Sequence, residues 1–475
     1  MDAPLANGRD FETLDEWLDW QSGLSAAEIE LGLERVARVL GDMGLARPPL
    51  VITVGGTNGK GSAVALLEHL ARHAGRRPGV YTSPHLVRYN ERIRLDGREA
   101  DDDEIMSAFR RVEAARGEVP LTYFEYGTLA ALAAFETAGA DCVLLEVGLG
   151  GRLDATNAVD ADGVIITSVS LDHEEWLGSD VESIGREKAG IMRHGRPAVF
   201  GGRQPPASVA EQAAAVGADL RLADRDFRAV TPDYGPDYGP VDGPGNGRGA
   251  RGRWDWEGRR ITLTGLPRPV FGGPEQMENA AAVFALLEAL GLDAWLQPDA
   301  VARALELPGP AGRQQRLRMG ANGADWWLDV AHNGAAARAL ADRLAAEPSA
   351  GTTFALVGLL ADKDAAEFAT ALAGVVDEWL AVPLESPRGT PVTELAATVA
   401  NATGRPCRIE PSVAAAVATA QALAGPADRV VAAGSFYVVG PALEALRLYS
   451  PPEREQQQPL PPGGQTRQAG PEKRH

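Results

Sequence analysis

The sequence predicts an α/β protein in which a larger parallel-sheet domain with a phosphate-binding loop precedes a smaller α/β domain. Three observations predict it. Short continuous apolar runs alternate with stretches of helical spacing along most of the chain. The first apolar run is joined to the first such helix by a glycine-rich turn carrying a lysine. After Leu307-Pro308-Gly309-Pro310 the strand and helix pattern starts again. These place the domains at residues 1–307 and 308–450, followed by a tail, 451–475.

Taken in order, Leu50-Val51-Ile52-Thr53-Val54 reads as a buried strand bounded by glycines. Residues 62–73 follow with Val64, Leu67, Leu70 and Ala71 at helical spacing, and Gly75 as a stop. Strands are expected at 79–82, 142–147 and 164–169. Continuous apolar strands joined by helices call for a parallel sheet covered on both faces. The longest apolar run, 280–290, is broken by Glu288 and reads as a buried helix. Residues 232–252 contain Asp-Tyr-Gly-Pro twice, and their glycine and proline density predicts a surface insertion between strands. The second unit shows strands at 326–330, 353–357, 379–382 and 429–432. The tail is rich in Pro, Gln and charge, a composition that does not pack a core.

Composition narrows the function. With 475 residues, 45% of them hydrophobic, the chain has material for more than one core. A net charge of −19 makes it a poor non-specific partner for nucleic acid or an anionic membrane. Two cysteines far apart, Cys142 and Cys407, imply no disulfide framework and fit a reducing cytosol. Residues 1–12 have no apolar core of signal-peptide length, and no run approaches the ~20 apolar residues of a membrane span. A cytoplasmic protein is expected.

Gly56, Thr57, Asn58, Gly59, Lys60, Gly61 and Ser62 sit between the first strand and its helix. Glycines let backbone wrap phosphate oxygens, and amides at a helix start face an anion along the helix dipole. Lys60 would neutralise the outer phosphates and Ser62 would reach a metal. The spacing departs from G-x-x-x-x-G-K-[ST], because Gly61 separates Lys60 from Ser62. The competing reading is a tight strand-to-helix turn with no ligand.

In open parallel sheets ligands bind beyond the carboxyl ends of strands. Ser83, Glu146 and His173 each follow or end an expected strand. Together they would hold Mg²⁺, which prefers oxygen ligands and keeps waters. His173 is an unusual Mg²⁺ ligand and is equally consistent with a hydrogen-bonding role. Glu146 is the stronger candidate, since a carboxylate ending an apolar strand is costly unless paired. Lys188, in Gly185-Arg186-Glu187-Lys188-Ala189-Gly190, reads on composition alone as a solvated helix residue.

With these segments in hand, the chain closely resembles the bacterial dihydrofolate synthase/folylpolyglutamate synthase family of the Mur ligase superfamily. The match runs from about Leu31 to Tyr437. It is carried by residues 31–36, the 56–62 loop, Ser83-Pro84-His85-Leu86, residues 121–128, and residues 146–157 with Gly148-Leu149-Gly150-Gly151. It continues through 185–190, Gly312-Arg313 and Asp329-Val330-Ala331-His332-Asn333. The resemblance implies a P-loop-containing parallel-sheet ATPase domain followed by a smaller Rossmann-like α/β domain. The implied activity adds L-glutamate to dihydropteroate and to the γ-carboxylate of reduced folates, using ATP and an acyl phosphate. It implies Mg²⁺, as two ions, on Ser83, Glu146 and His173. Lys188 would be carbamylated in support of the second ion. Asn279, Arg313 and Asp329 would contact the nucleotide, and His332 would act near the phosphates. Thr122, Tyr123, Phe124 and Glu125, with Leu153, Asp154 and Ala155, would contact the pterin. A monomer is implied. Two departures stand out. Gly334 replaces the usual proline after Asp-x-Ala-His-Asn, and residues 22–27 match less well.

Read singly, several of these residues have plainer roles. Asn279 suits a helix surface or a cap, Arg313 an exposed linker, Asp329 a helix cap, and Phe124 and Tyr126 a core. Three other functions share features of the pattern. A monofunctional folylpolyglutamate synthase lacks the dihydropteroate step. A cell-wall Mur ligase takes a nucleotide-linked muramyl substrate, and residues 122–128 argue against it. A P-loop NTPase switch hydrolyses ATP without glutamate.

Overall fold

The computed structural model describes residues 10–25, 30–230, 252–319 and 323–449. Most of the 232–252 insertion, the 451–475 tail and part of the 22–27 stretch therefore lie outside the described residues.

Eight strands form the first sheet: β1 Val51–Gly55, β2 Pro78–Tyr81, β3 Ile93–Leu95, β4 Arg98–Glu99, β5 Cys142–Glu146, β6 Gly163–Ile166, β7 Pro197–Phe200 and β8 Asp219–Leu222. Their order is β4-β3-β2-β5-β1-β6-β7-β8. The six strands from β2 to β8 run parallel, while β3 and β4 add an antiparallel edge. Alternate residues face opposite cores. Val51, Val143 and Leu145 pack on one side, and Ile52, Val54 and Leu144 on the other. This explains runs with no polar alternation, because both faces are dry. Each fully buried aliphatic side chain contributes about 1.5–3 kcal/mol.

The helix Pro274–Ala289 buries eleven residues from Met277 to Glu288 against the second of these cores, as its apolar run predicts. Beside it lies a three-stranded antiparallel sheet of β9 Arg228–Val230, β10 Arg253–Glu257 and β11 Thr262–Pro267. No element is expected there from the apolar runs of the sequence. Trp254 and Trp256 of β10 both point inward onto Phe284, so the alternation Arg-Trp-Asp-Trp-Glu was a strand signal.

The third sheet holds β12 Gln315–Met319, β13 Ala324–Asp329, β14 Thr353–Val357, β15 Glu378–Ala381, β16 Cys407–Ile409 and β17 Arg429–Ala433. Its order is β12-β13-β17-β14-β15-β16, parallel except for β12. It too has two cores, with Phe354 and Leu356 facing one and Ala355 and Val357 the other. No helix among the described residues is long and apolar enough to cross a membrane.

Candidate active site

Strand β1 is central in the first sheet, paired with β5 on one side and β6 on the other. Val54 lies opposite Glu146, and Gly55 opposite Ile166. The loop leaving β1 is therefore flanked by Glu146 and by the segment leading to His173. Its outer side is tied to that segment. Thr57 N donates to Ser168 O at 2.8 Å, Asn58 N to Ser168 Oγ at 3.0 Å, and Thr167 Oγ1 to Asn58 O at 2.6 Å. The helix Lys60–His73 starts at Gly59, and its first amides lack intrahelical acceptors, as at every helix start.

Two glycines are obligatory here. Gly56 has φ +139° and abuts Thr167, and Gly59 has φ +89° with the Asn279 amide pressed against it. A side chain at either position would be strained and would collide. Asn279 is thus no helix-surface residue. It is buried against the loop, and its amide donates to Gln276 Oε1 at 3.3 Å.

The charges around the loop are poorly compensated. Lys60 Nζ folds back to donate to Gly56 O at 3.0 Å and Thr57 O at 3.1 Å. Burial pushes its pKa down, against the pull of Glu146 and Asp172. Glu146, only 3% exposed, is pushed up by burial despite Lys60 and Arg313. Its carboxylate accepts a hydrogen bond from Ser83 N at 3.3 Å. Lys188 is 4% exposed, so the solvated-helix reading fails. Its ammonium donates to Gly56 O at 3.2 Å, and burial, then the neighbouring Lys60, lowers its pKa to about 7. The flanking Arg186 and Glu187 give its sequence the look of a solvated helix.

A metal fits this donor set. Glu146 is an under-paired buried carboxylate beside Ser83, and His173 Nδ1 is buried without a hydrogen-bond partner. Among the described residues no group of three or more His, Cys, Asp or Glu is arranged so that it could hold a metal ion by itself. An ion here would rely on hydroxyl and water oxygens, which suits Mg²⁺ better than a tetrahedral metal.

The third sheet reaches over this loop. Arg313 stacks on Phe436 at 5.2 Å, and its guanidinium comes up to Gly61. Asp329 ends β13, accepts from Gln314 N at 3.1 Å and Ala331 N at 2.6 Å, and is pushed up to about 6 by burial. His332 Nδ1 faces Val330 O at 2.8 Å while its Nε2 lies 3.6 Å from Asp172. A small pocket beside the loop is walled by Ala65, Leu66, Phe271 and Pro308, with Gln276 and Asn279 at its polar end.

The pterin candidates divide. Tyr123 and Phe124 are half-buried and pack on Tyr89 and Tyr81 at 5.8 Å, while Tyr126 is core. Thr122 and Glu125 form a capping box on the helix Tyr123–Thr137, and Arg35 adds a 2.8 Å ion pair to Glu125. The Glu125 carboxylate is therefore committed within the protein. So is Asp154, which accepts from Leu149 N, Thr156 N and Thr156 Oγ1 and so shapes the glycine turn. Leu153 beside it is half-buried and Ala155 buried.

Sequence reasoning missed four side chains. Asp172, Asn333, Asp362 and Lys363 meet where the two parallel sheets touch. Burial raises the Asp172 pKa, but the bond to His332 and the charges of His173 and Lys363 outweigh it and hold the carboxyl far below its usual range.

The model of the Mur ligase glutamate ligase domain matches residues 312–436. The Escherichia coli (strain K12) dihydrofolate synthase/folylpolyglutamate synthase is 41% identical over 436 residues, 91% of this chain and 95% of that one. Escherichia coli FolC in complex with DHPP and ADP superposes with a TM-score of 0.81 at 40% identity, covering 92% of this chain and 98% of that one. A bifunctional folylpolyglutamate synthase/dihydrofolate synthase with Mn, AMPPNP and L-glutamate bound gives a TM-score of 0.80 at 41% identity, with 92% and 98% covered. This chain belongs to the dihydrofolate synthase/folylpolyglutamate synthase family of the Mur ligase superfamily.

Proposed function

We propose that the chain is an ATP-dependent amide ligase that adds L-glutamate to dihydropteroate, forming dihydrofolate, and to the γ-carboxylate of folates, extending polyglutamate. The observation that carries this is the loop at the end of β1. There Lys60, Lys188 and Glu146 are buried beside one another with too few partners, and Arg313 arrives from the other sheet.

The acid's carboxylate attacks the γ-phosphate of ATP, and ADP leaves. The glutamate amino group then displaces phosphate from the acyl phosphate, leaving an amide. Lys60, Arg313 and the first amides of the Lys60–His73 helix offset the charge on the transferring group. Gly56, Thr57, Asn58, Gly59, Gly61 and Ser62 shape the cradle. The pocket of Ala65, Leu66 and Phe271 suits a purine, with Asn279 at its polar edge and Asp329 on the nucleotide. Magnesium, held by Glu146, Ser83 and His173, supplies further positive charge when bound. His332, on the segment after Asp329, is read as orienting a phosphate or its departing oxygen.

Lys188 is read as the residue that takes up CO₂. Addition requires a neutral amine, and a pKa near 7 provides one at physiological pH. The carbamate turns a cation into an anion beside Gly56, a site suited to a second ion. The half-buried Tyr123, Phe124 and Leu153, backed by the buried Ala155, are read as the apolar surface for the pterin, with Thr122, Glu125 and Asp154 fixing that surface. Closure of the third sheet excludes water, which would otherwise hydrolyse the acyl phosphate. The scheme needs one copy of the chain and a cytoplasmic supply of ATP.

Phosphate release tests the reading against a nucleotide switch. With ATP, dihydropteroate and glutamate present, phosphate and dihydrofolate should appear in equal amounts, and omission of either acceptor should stop both. Unchanged phosphate release without glutamate and without dihydropteroate would overturn it.

A further inference from the structure

Asp172 has a buried carboxylate with no local structural task. Asp154 and Glu125 spend theirs on backbone amides close in sequence. Apart from the adjacent His173, the partners of Asp172 come from the third sheet. Lys363 Nζ donates to Oδ1 at 2.6 Å, Asn333 Nδ2 to Oδ2 at 3.2 Å, and His332 Nε2 lies 3.6 Å from Oδ2. The lysine and aspartate side chains are 4% and 6% exposed, and they stand 191 residues apart in sequence.

We propose that Asp172 is a positioning residue whose ion pair with Lys363 fastens the third sheet over the phosphate loop, and so decides whether the activated carboxylate meets glutamate or water. The inference rests on the ligase reading above. Lys363 sits between β14 and the helix Ala365–Leu372, while Asn333 begins the helix Gly334–Ala346. The pair therefore grips two helix starts of that sheet at once. Asn333 also exchanges hydrogen bonds with Asn58 of the loop at 3.3 Å, so the grip continues into the cradle itself. Arg313 and Asp329 flank the same sheet edge. A sheet that sits loosely carries them away from the nucleotide and admits solvent. Removing Asp172 leaves Lys363 with Asp362 alone, and removing Lys363 leaves Asp172 with Asn333 and the two histidines; either way a buried charge loses its strongest partner, which favours an opened arrangement where water can reach it.

Other groups face the pair. Asp362 lies 3.2 Å from Lys363 Nζ, and His173 Nε2 lies 3.4 Å from it. Either residue acting alone, on charge balance or on a ligand, is the competing account, and a double-mutant cycle separates the two. Asp172→Asn, Lys363→Met and the double variant are compared for kcat, for phosphate released per amide formed, for melting temperature, and for radius of gyration with ADP bound. Each single variant should lower kcat by about 10- to 100-fold, raise the phosphate-to-amide ratio above one, and enlarge the particle. The double variant should be no worse than the worse single one, because the second change removes nothing further. Lys363→Arg keeps the charge and should bring the ratio back toward one, which guards against a poorly folding Lys363→Met. Single effects that multiply in the double variant, or a fall in melting temperature with the ratio held at one, overturn the proposal. A wild-type enzyme that releases phosphate without glutamate would instead sink the ligase reading, leaving the two failures distinct.

Discussion

The ends of the two parallel sheets meet at the same cleft but treat charge in opposite ways. Around the loop of the first sheet, Lys60 and Lys188 are pushed toward neutrality, and Glu146 is pushed toward protonation. Each has fewer partners than burial demands. At the junction with the third sheet, Lys363 is fully engaged by Asp172 and Asp362, and Asp172 lies far below its usual range. Under-compensated buried charge is costly in the free protein and is repaired by a ligand of the right sign. Compensated charge has nothing to gain from a ligand and serves to hold position. The same residue types thus mark a cradle on one side and a fastening on the other.

Substitutions test that division, beginning with the largest effect. Lys60→Ala should abolish ATP-dependent conjugation, by at least about 10³-fold, with the fold intact by circular dichroism. Near-normal turnover would mean that the cradle lies elsewhere. Lys188→Ala should also lose most activity, and short carboxylic acids should restore part of it by standing in for the carbamate. Wild-type rates without Lys188, with no response to added acid, would remove the carbamate from the account. Arg313→Ala should cost about 1.5–3 kcal/mol of transition-state stabilisation, the range of a charged hydrogen bond. The loss should fall on kcat/KM for ATP.

The Lys188 ammonium also predicts a pH dependence of stability. Its pKa is about 7 in the folded protein, against an ordinary value of 10.5. Between those values the unfolded chain binds the extra proton, so stability rises with pH across the window and burial is penalised in full below pH 7. In CO₂-free buffer, wild type should gain about 2–3 kcal/mol over Lys188→Met between pH 7 and 9. Parallel stability curves in urea would contradict the burial of an uncompensated amine. The smallest effect is expected at Gly334, the first residue of its helix, where a side chain would press on the Glu367 carboxylate. Proline suits that helical position, so Gly334→Pro should displace only Glu367 and its exposed pair with Arg338, shifting stability by less than about 1 kcal/mol.

What the sequence disclosed follows from distance along the chain. The proposed phosphate loop is one contiguous segment, so its glycine and lysine spacing can be read directly from the sequence. Inner strands such as β1, β5, β6, β14 and β17 are legible because burial on both faces makes them uniformly apolar, whereas β7, β8 and β16 are not among the expected strands, the last two being half-exposed sheet edges. The capping box of Thr122 and Glu125 is visible in the sequence as Thr-x-x-Glu, a local signal separate from any pterin contact. Lys188 looked solvated because its helix carries Arg186, Glu187 and Lys188 in a row, and only packing shows which one turns inward. The pairing of Asp172 with Lys363 left no sequence signal, since neither residue has a local pattern and each is found only through the other.

The central claim is that a triphosphate is held where β1 gives way to its helix. A crystal soaked with AMPPNP and magnesium measures this most directly. The account predicts phosphates wrapped by residues 56–62, the metal beside Glu146 and Ser83, and Arg313 on the nucleotide. Nucleotide bound elsewhere, or a metal remote from Glu146, would contradict it.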